Sequence, residues 1–292
     1  MNCSPRLALT ERRNVADKPT AFASFEQKWL AAHPEQAAVA VFLAPDERLR
    51  ASAFGCLVYE LEQAAFAARE TQAAAVKLAW WRRELIGACA GNPRHPISAL
   101  LFSDPRTQGV DSESWAALAD GALAMLDRRG ATSFADLLSS YGAIYTQVAR
   151  IESALFAGNP AQADAIATLW TSSHLLHDLS MSVGTIAQVA LPLDLLARHG
   201  LTRSLLAQPG EERAAVLRDY LRKLDEHVET ALVRATRATL GRRVRARLDL
   251  IAVRHARRTA DPLAWLAAHW PASHWMSLWL SWNEARGLAR RR

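Results

Sequence analysis

RLRASAFGCLVYELEQAAFAARETQAAAVKLAWWRREL, Arg48 to Leu85, is a run of helix formers without a proline. It predicts two long helices joined near Glu70-Thr71-Gln72. Just before it, Pro45 suits a first helical turn, and Asp46 and Glu47 lie near that helix's positive end. Beyond it the second helix should run to Ala90 and stop at Gly91-Asn92-Pro93. The same reading holds in both directions. Thr20 can cap a short helix from Ala21 to Ala32, ended by His33-Pro34. Further helices are expected over Glu113 to Asp127, before Arg128-Arg129-Gly130, and over Ser133 to Ala157, before Gly158-Asn159-Pro160. Ala161 to about Ala190 reads as one long helix, and residues 210 to 238 as a charged amphipathic one. Asp261-Pro262 starts another as cap and first-turn proline, and Pro271 starts the last. No stretch alternates with the period of a strand, and no repeat is evident. The fold class is therefore all-α, a single helical bundle, and a bundle of this size can enclose a cavity between its helices.

Length and composition narrow the rest. The chain has 292 residues, 50 % of them hydrophobic, enough for one large core. Residues 1–19 are polar and read as a flexible N-terminal segment, and 20–292 as one domain. No apolar run approaches the ~20 residues that span a bilayer, and the N-terminus has no secretory h-region. Cys3, Cys56 and Cys89 are widely spaced, which fits a reducing compartment and a cytoplasmic location. The formal charge of +6 favours an anionic partner. No dinucleotide, P-loop, nucleophile-elbow or Cys–His signature appears.

Three segments carry a resemblance. Trp80-Trp81-Arg82, His95-Pro96-Ile97-Ser98-Ala99-Leu100 and the run LPLDLLARHG, residues 191–200, are similar to landmarks of the squalene and phytoene synthase family. The likeness extends from about Phe42 to Thr202. It implies the isoprenoid synthase fold and, in active members, Mg2+-dependent head-to-head condensation of prenyl diphosphates such as farnesyl or geranylgeranyl diphosphate. Arg48 and Arg50 match a basic residue that holds substrate diphosphate in that family, though they equally suit a first helical turn at the surface. Arg82 and Tyr59 are further candidates for substrate contact, and Tyr141 matches a family tyrosine. Gln147 and Arg150 stand where the family has glycines, which would narrow or close a tunnel for the isoprenoid chain.

The carboxylates depart from the pattern. Ionising an allylic diphosphate needs Mg2+ to neutralise the leaving group, and Mg2+ takes oxygen ligands. Two aspartates at i and i+4 on each of two facing helices supply them. Here Tyr59 and Gln63 occupy the first pair of positions, and the second reads His174, Asp178, Ser182. Glu60, Glu62 and Asp178 are the remaining candidate Mg2+ ligands, with Asp178 and Tyr141 the candidate catalytic residues. The expectation is a catalytically impaired member that binds an isoprenoid, another lipid or a protein partner. The same family includes a respiratory complex I assembly factor without the aspartate pairs. The alternatives are an active transferase with an altered Mg2+ site, or a membrane-surface assembly or scaffold factor. His174 and Asp178 could share a metal such as Zn2+, but one helix gives an incomplete set. A hydrogen-bonded His–Asp pair in an old cavity is the commoner outcome.

Two features near the C-terminus bear on partners. Leu240, Val244, Leu248 and Ile251 define an inward helix face, while Arg243, Arg247, Arg254 and Arg258 share another. Such a face is usually solvated and ion-paired; the sharper reading is contact with an anionic membrane surface. Trp275, Trp279 and Trp282 recur at i, i+4, i+7. That stripe usually packs into a core, but with the Arg290-Arg291-Arg292 tail it also suits the inner face of a membrane. Nucleic acid is not expected, because no recognition motif accompanies the charge.

Overall fold

The structure is a computed structural model that describes residues 18–290 other than 129, 157, 271 and 272. Thirteen α-helices follow in order: α1 Lys18–Ala32, α2 Glu35–Ala40, α3 Pro45–Glu62, α4 Thr71–Cys89, α5 Pro96–Leu101, α6 Ser112–Ala124, α7 Phe134–Leu155, α8 Ala163–Ser180, α9 Leu193–Arg198, α10 Glu211–Arg234, α11 Leu240–Ala256, α12 Pro262–His269 and α13 His274–Ala289. The described residues contain no strand. Pro45 occupies the start of α3, and the Asp261 carboxylate caps α12 by accepting from the amides of Leu263 and Ala264. The join between α3 and α4 falls at residues 68–70, slightly before the expected Glu70-Thr71-Gln72, so that Thr71 and Gln72 lie in the first turn of α4.

Helix boundaries differ in several places: α2 was not expected, and α10 ends at Arg234 rather than at residue 238. α1 begins at Lys18, so Thr20 lies within its first turn and is not its cap. The expected helix from Ala161 to Ala190 ends at Ser180. Gly184 then takes φ +86°, a left-handed conformation that turns the chain away, and only a short 3-10 turn, Ile186–Gln188, follows. Residues 1–17 of the expected flexible segment, Pro271 and Arg291-Arg292 lie outside the described residues.

The helices pack in succession, α4 on α6, α6 on α7, α7 on α8, and α8 on α10 and α11. α1 and α5 lie against α3, while α2 and α13 cover α11. Trp81, Trp115, Tyr141, Tyr145 and Tyr220 are fully buried in the core. The Trp-Trp-Arg and His-Pro segments are clamped together by one carboxylate. Glu84 accepts from the amides of Arg94 and His95, each at 2.8 Å, and from the Ser98 hydroxyl. Both Trp80 and Trp81 set ring edges against His95. These landmarks therefore fix where α5 docks on α3 and α4, outside the cavity.

Candidate functional site

A cavity of about 340 Å³ lies between α1–α3 on one side and α8 and α11 on the other, with the end of α7 closing one wall. α3 contributes Arg48, Ser52, Gly55 and Tyr59, then Glu62 at its end. The chain continues as a π-helical turn, Gln63–Ala67, which directs Gln63 and Phe66 into the same space. α8 supplies Trp170, Ser173, His174, His177 and Asp178 from opposite. Positions 59 and 63 thus face 174 and 178 across the cavity.

The wall between them is a network of buried charge. Arg245 donates to Glu35 at 3.3 Å and to Asp249 at 3.1 Å, and Ser173 donates to the other Asp249 oxygen. Burial opposes the charge on Glu35, but Arg245 and its other partners hold its carboxyl below the usual range. Asp249 goes the other way: burial outweighs Arg245 and raises it. Glu152 accepts from the Trp170 indole at 2.6 Å and from Thr239 at 2.8 Å. The Arg242 guanidinium lies 3.3 Å above the Trp170 ring. Burial pushes His33 and His174 down to about 3, so both imidazoles are neutral at neutral pH.

The expected site residues divide by helix face. Arg48, exposed, and Tyr59 line the cavity. Glu62 also lines it, but accepts from Tyr145 Oη at 2.7 Å, and burial raises its carboxyl. Asp178 lines the opposite wall, raised by burial with Arg128 opposing. Tyr141 is buried behind it, its ring 5.3 Å from His174 and stacked on Phe66, with Arg128 4.7 Å above it. Glu60, Arg50 and Arg82 lie elsewhere. Glu60 pairs with Lys77 at 2.8 Å, Arg50 with Asp104 at 2.9 Å, and Arg82 with Asp120 at 3.0 Å on the surface. Arg150 is exposed and Gln147 is absent from the cavity wall, so neither narrows it. His174 and Asp178 share the wall, but the His174 ring packs on Phe66 at 4.1 Å rather than forming the expected hydrogen-bonded pair.

Among the described residues, no three His, Cys, Asp or Glu side chains gather where a metal ion could be held. Mg2+ prefers several carboxylate and water oxygens in octahedral array. Glu60 and Glu62 are already engaged, and Asp178 has no second carboxylate one turn on, so the residues present do not fit Mg2+. The same holds for Zn2+ on His174 and Asp178.

The reading of the sequence missed His33, Glu35, Glu152, Trp170, Arg242 and Arg245. One signal was available: Asp249 follows Arg245 by four residues, the only acid in an arginine-rich helix. The arginine face is also revised. Arg243 and Arg247 converge on Glu284 at 2.7 and 2.9 Å, and Arg254 pairs with Asp225 at 2.8 Å and Glu229 at 3.0 Å. Of these four, only Arg258 has no ion-pair partner among the described residues, so they do not form a free cationic surface.

A family model described as squalene/phytoene synthase matches residues 31–276. No curated protein matches the sequence. Among solved structures, a dehydrosqualene synthase in complex with ligand superposes with a TM-score of 0.73 at 14 % identity, covering 94 % of this chain and 99 % of that one. The squalene synthase HpnC from Alicyclobacillus acidocaldarius gives 0.63 at 12 % identity, covering 87 % of this chain and 94 % of that one. At such identities the likeness is one of fold, the all-helical isoprenoid synthase fold.

Proposed function

The chain belongs to the squalene/phytoene synthase family, and from that membership we propose that it binds one isoprenoid or similar lipid amphiphile without condensing two. The observation that carries this reading is the state of the carboxylates. Both metal-binding pairs of the family are degenerate in this reading. Of the three acids left, Glu60 is held by Lys77, Glu62 by Tyr145, and Asp178 stands alone on its wall. A diphosphate leaving group would develop charge that no assembled cation site could neutralise.

Cavity size supports the same conclusion. About 340 Å³ is near the lower end of the ~300–1,000 Å³ that holds one drug-sized ligand. In this reading the ligand's polar head meets Arg48 and Tyr59, its tail lies along Trp29, Phe54, Phe66 and Phe156, and Asp178 borders the far end. Tyr141 forms the wall behind His174 and takes no part in chemistry.

Calorimetric titration of farnesyl diphosphate into the purified chain, with and without Mg2+, tests this, together with an assay for released pyrophosphate. One ligand should bind per chain with the same affinity in either buffer, and no pyrophosphate should appear. Metal-dependent binding with pyrophosphate release would establish an active transferase instead. An absence of binding in both buffers would remove the isoprenoid ligand.

A further inference from the structure

Helix α13 presents an aromatic face to solvent. Trp275, Trp279 and Trp282 are 82 %, 60 % and 44 % exposed. The opposite face of α13, with Ser277, Leu280 and Ser281 buried, packs on α2 and α11. The expected burial of the tryptophans is therefore reversed: small and aliphatic residues make the core contact, and the largest side chains point away.

Charge on this helix is sorted in the same way. Its one carboxylate, Glu284, turns inward and is met by Arg243 and Arg247. The outward stripe has no acid. It continues from Trp282 to Arg286, whose guanidinium lies 4.5 Å above the Trp282 ring, and then to exposed Arg290. The spacing 275, 279, 282, 286, 290 keeps these five side chains on one side of the helix.

Three neighbouring exposed tryptophans mark an interaction surface, because each ring offers ~150–250 Å² for burial. The indole prefers the headgroup level of a bilayer, where its apolar body and its N–H are both accommodated. An acid-free stripe that ends in two arginines complements lipid phosphates. A second copy of the same stripe would bring no carboxylate to Arg286 and Arg290. We propose that α13 docks the protein peripherally on an anionic lipid surface, with Trp275, Trp279 and Trp282 at headgroup level and Arg286 and Arg290 on the phosphates. The inference is independent of what occupies the cavity.

Co-sedimentation of the full chain with vesicles of phosphatidylcholine alone, or mixed with phosphatidylserine, is the test. The chain should bind the mixed vesicles, with a blue-shifted tryptophan emission that brominated lipid quenches. Binding should weaken as salt rises. Trp275→Ser with Trp279→Ser should lower binding at least about tenfold, and Arg286→Glu with Arg290→Glu should do so by a similar factor. All four positions are exposed, so unchanged circular dichroism and melting should accompany the loss. Equal binding to both vesicle types, binding unaffected by either pair of substitutions, or no vesicle binding would overturn the proposal. Dimerisation in sedimentation velocity, lost in the tryptophan variant without vesicle binding, would assign the face to a second copy.

Discussion

Glu62, half-buried in the cavity wall, and Glu84, buried, are carboxylates on the organising helix pair that respond to pH in opposite senses. Burial raises Glu62, whose one donor is Tyr145. Its contribution to stability is full below its unfolded-state pKa and is lost as pH rises through the folded value. Glu62→Gln keeps an acceptor for Tyr145 and removes the ionisation. The variant should unfold at higher denaturant than the parent near neutral pH, and the gain should vanish in acid. Burial also opposes the charge on Glu84, but the Ser98 hydroxyl and the His95 and Arg94 amides prevail and hold it low. Its contribution is present above the unfolded pKa and is lost as pH falls through the folded one. Glu84→Gln should cost about 2–3 kcal/mol at neutral pH and little in acid. Urea titrations in acid, at about pH 3, and at about pH 7 check both, and matching pH slopes for the two variants would contradict the assignment. Helix geometry also explains which site residues were legible. Arg48, Tyr59 and Glu62 follow the spacing of one face, which also carries Ser52 and Phe66 that the sequence did not single out, and all line the cavity. Arg50 and Glu60 each sit off that face by a residue or two, at ~100° per residue, so motif matching without side-chain direction misplaced them.

At the level of elements, two glycines set how the helices meet. Gly121 of α6 lies where an added Cβ would stand 2.1 Å from the Ala143 carbonyl oxygen of α7. A backbone contact that close cannot yield locally, so Gly121→Ala must push α6 and α7 apart. Thermal or denaturant unfolding should show a loss of about 3 kcal/mol. A neutral result would mean that the interface is looser than its geometry. Gly184 has open space around it but φ +86°, so Gly184→Ala strains only the turn and should cost about 1–2 kcal/mol. The existence and order of the helices from Arg48 to Cys89 were legible from periodicity and breakers. The end of α8 was not: the apolar run through residues 183–190 keeps a helical look, and a lone glycine is a weak stop signal against it. The hydrogen bonds that decide such an end come from tertiary partners that periodicity does not name.

Across the whole molecule, several arginines are engaged by carboxylates elsewhere in the fold. Arg213, Arg243, Arg245 and Arg254 all join carboxylates on other helices or loops, so a net charge of +6 says less about partners than composition suggested. One of these pairs joins the ends of the chain. Glu35 on α2 meets Arg245 on α11, 210 residues later, and both side chains are within 5 % of full burial. This pair closes the cavity between the two groups of helices that line it. Removing one member of a buried pair strands the other charge, whereas replacing both with neutral groups spares that cost. Arg245→Met should therefore destabilise the chain by about 3–5 kcal/mol, because Glu35 and Asp249 lose their shared cation. Adding Glu35→Gln and Asp249→Asn to it should recover most of that loss in urea unfolding. Proteolysis should cut the α2–α3 connection, residues 41–44, faster in the single variant than in the triple one. A single-variant cost under about 1 kcal/mol would mean that apolar packing, rather than this ion pair, holds the two groups of helices around the cavity.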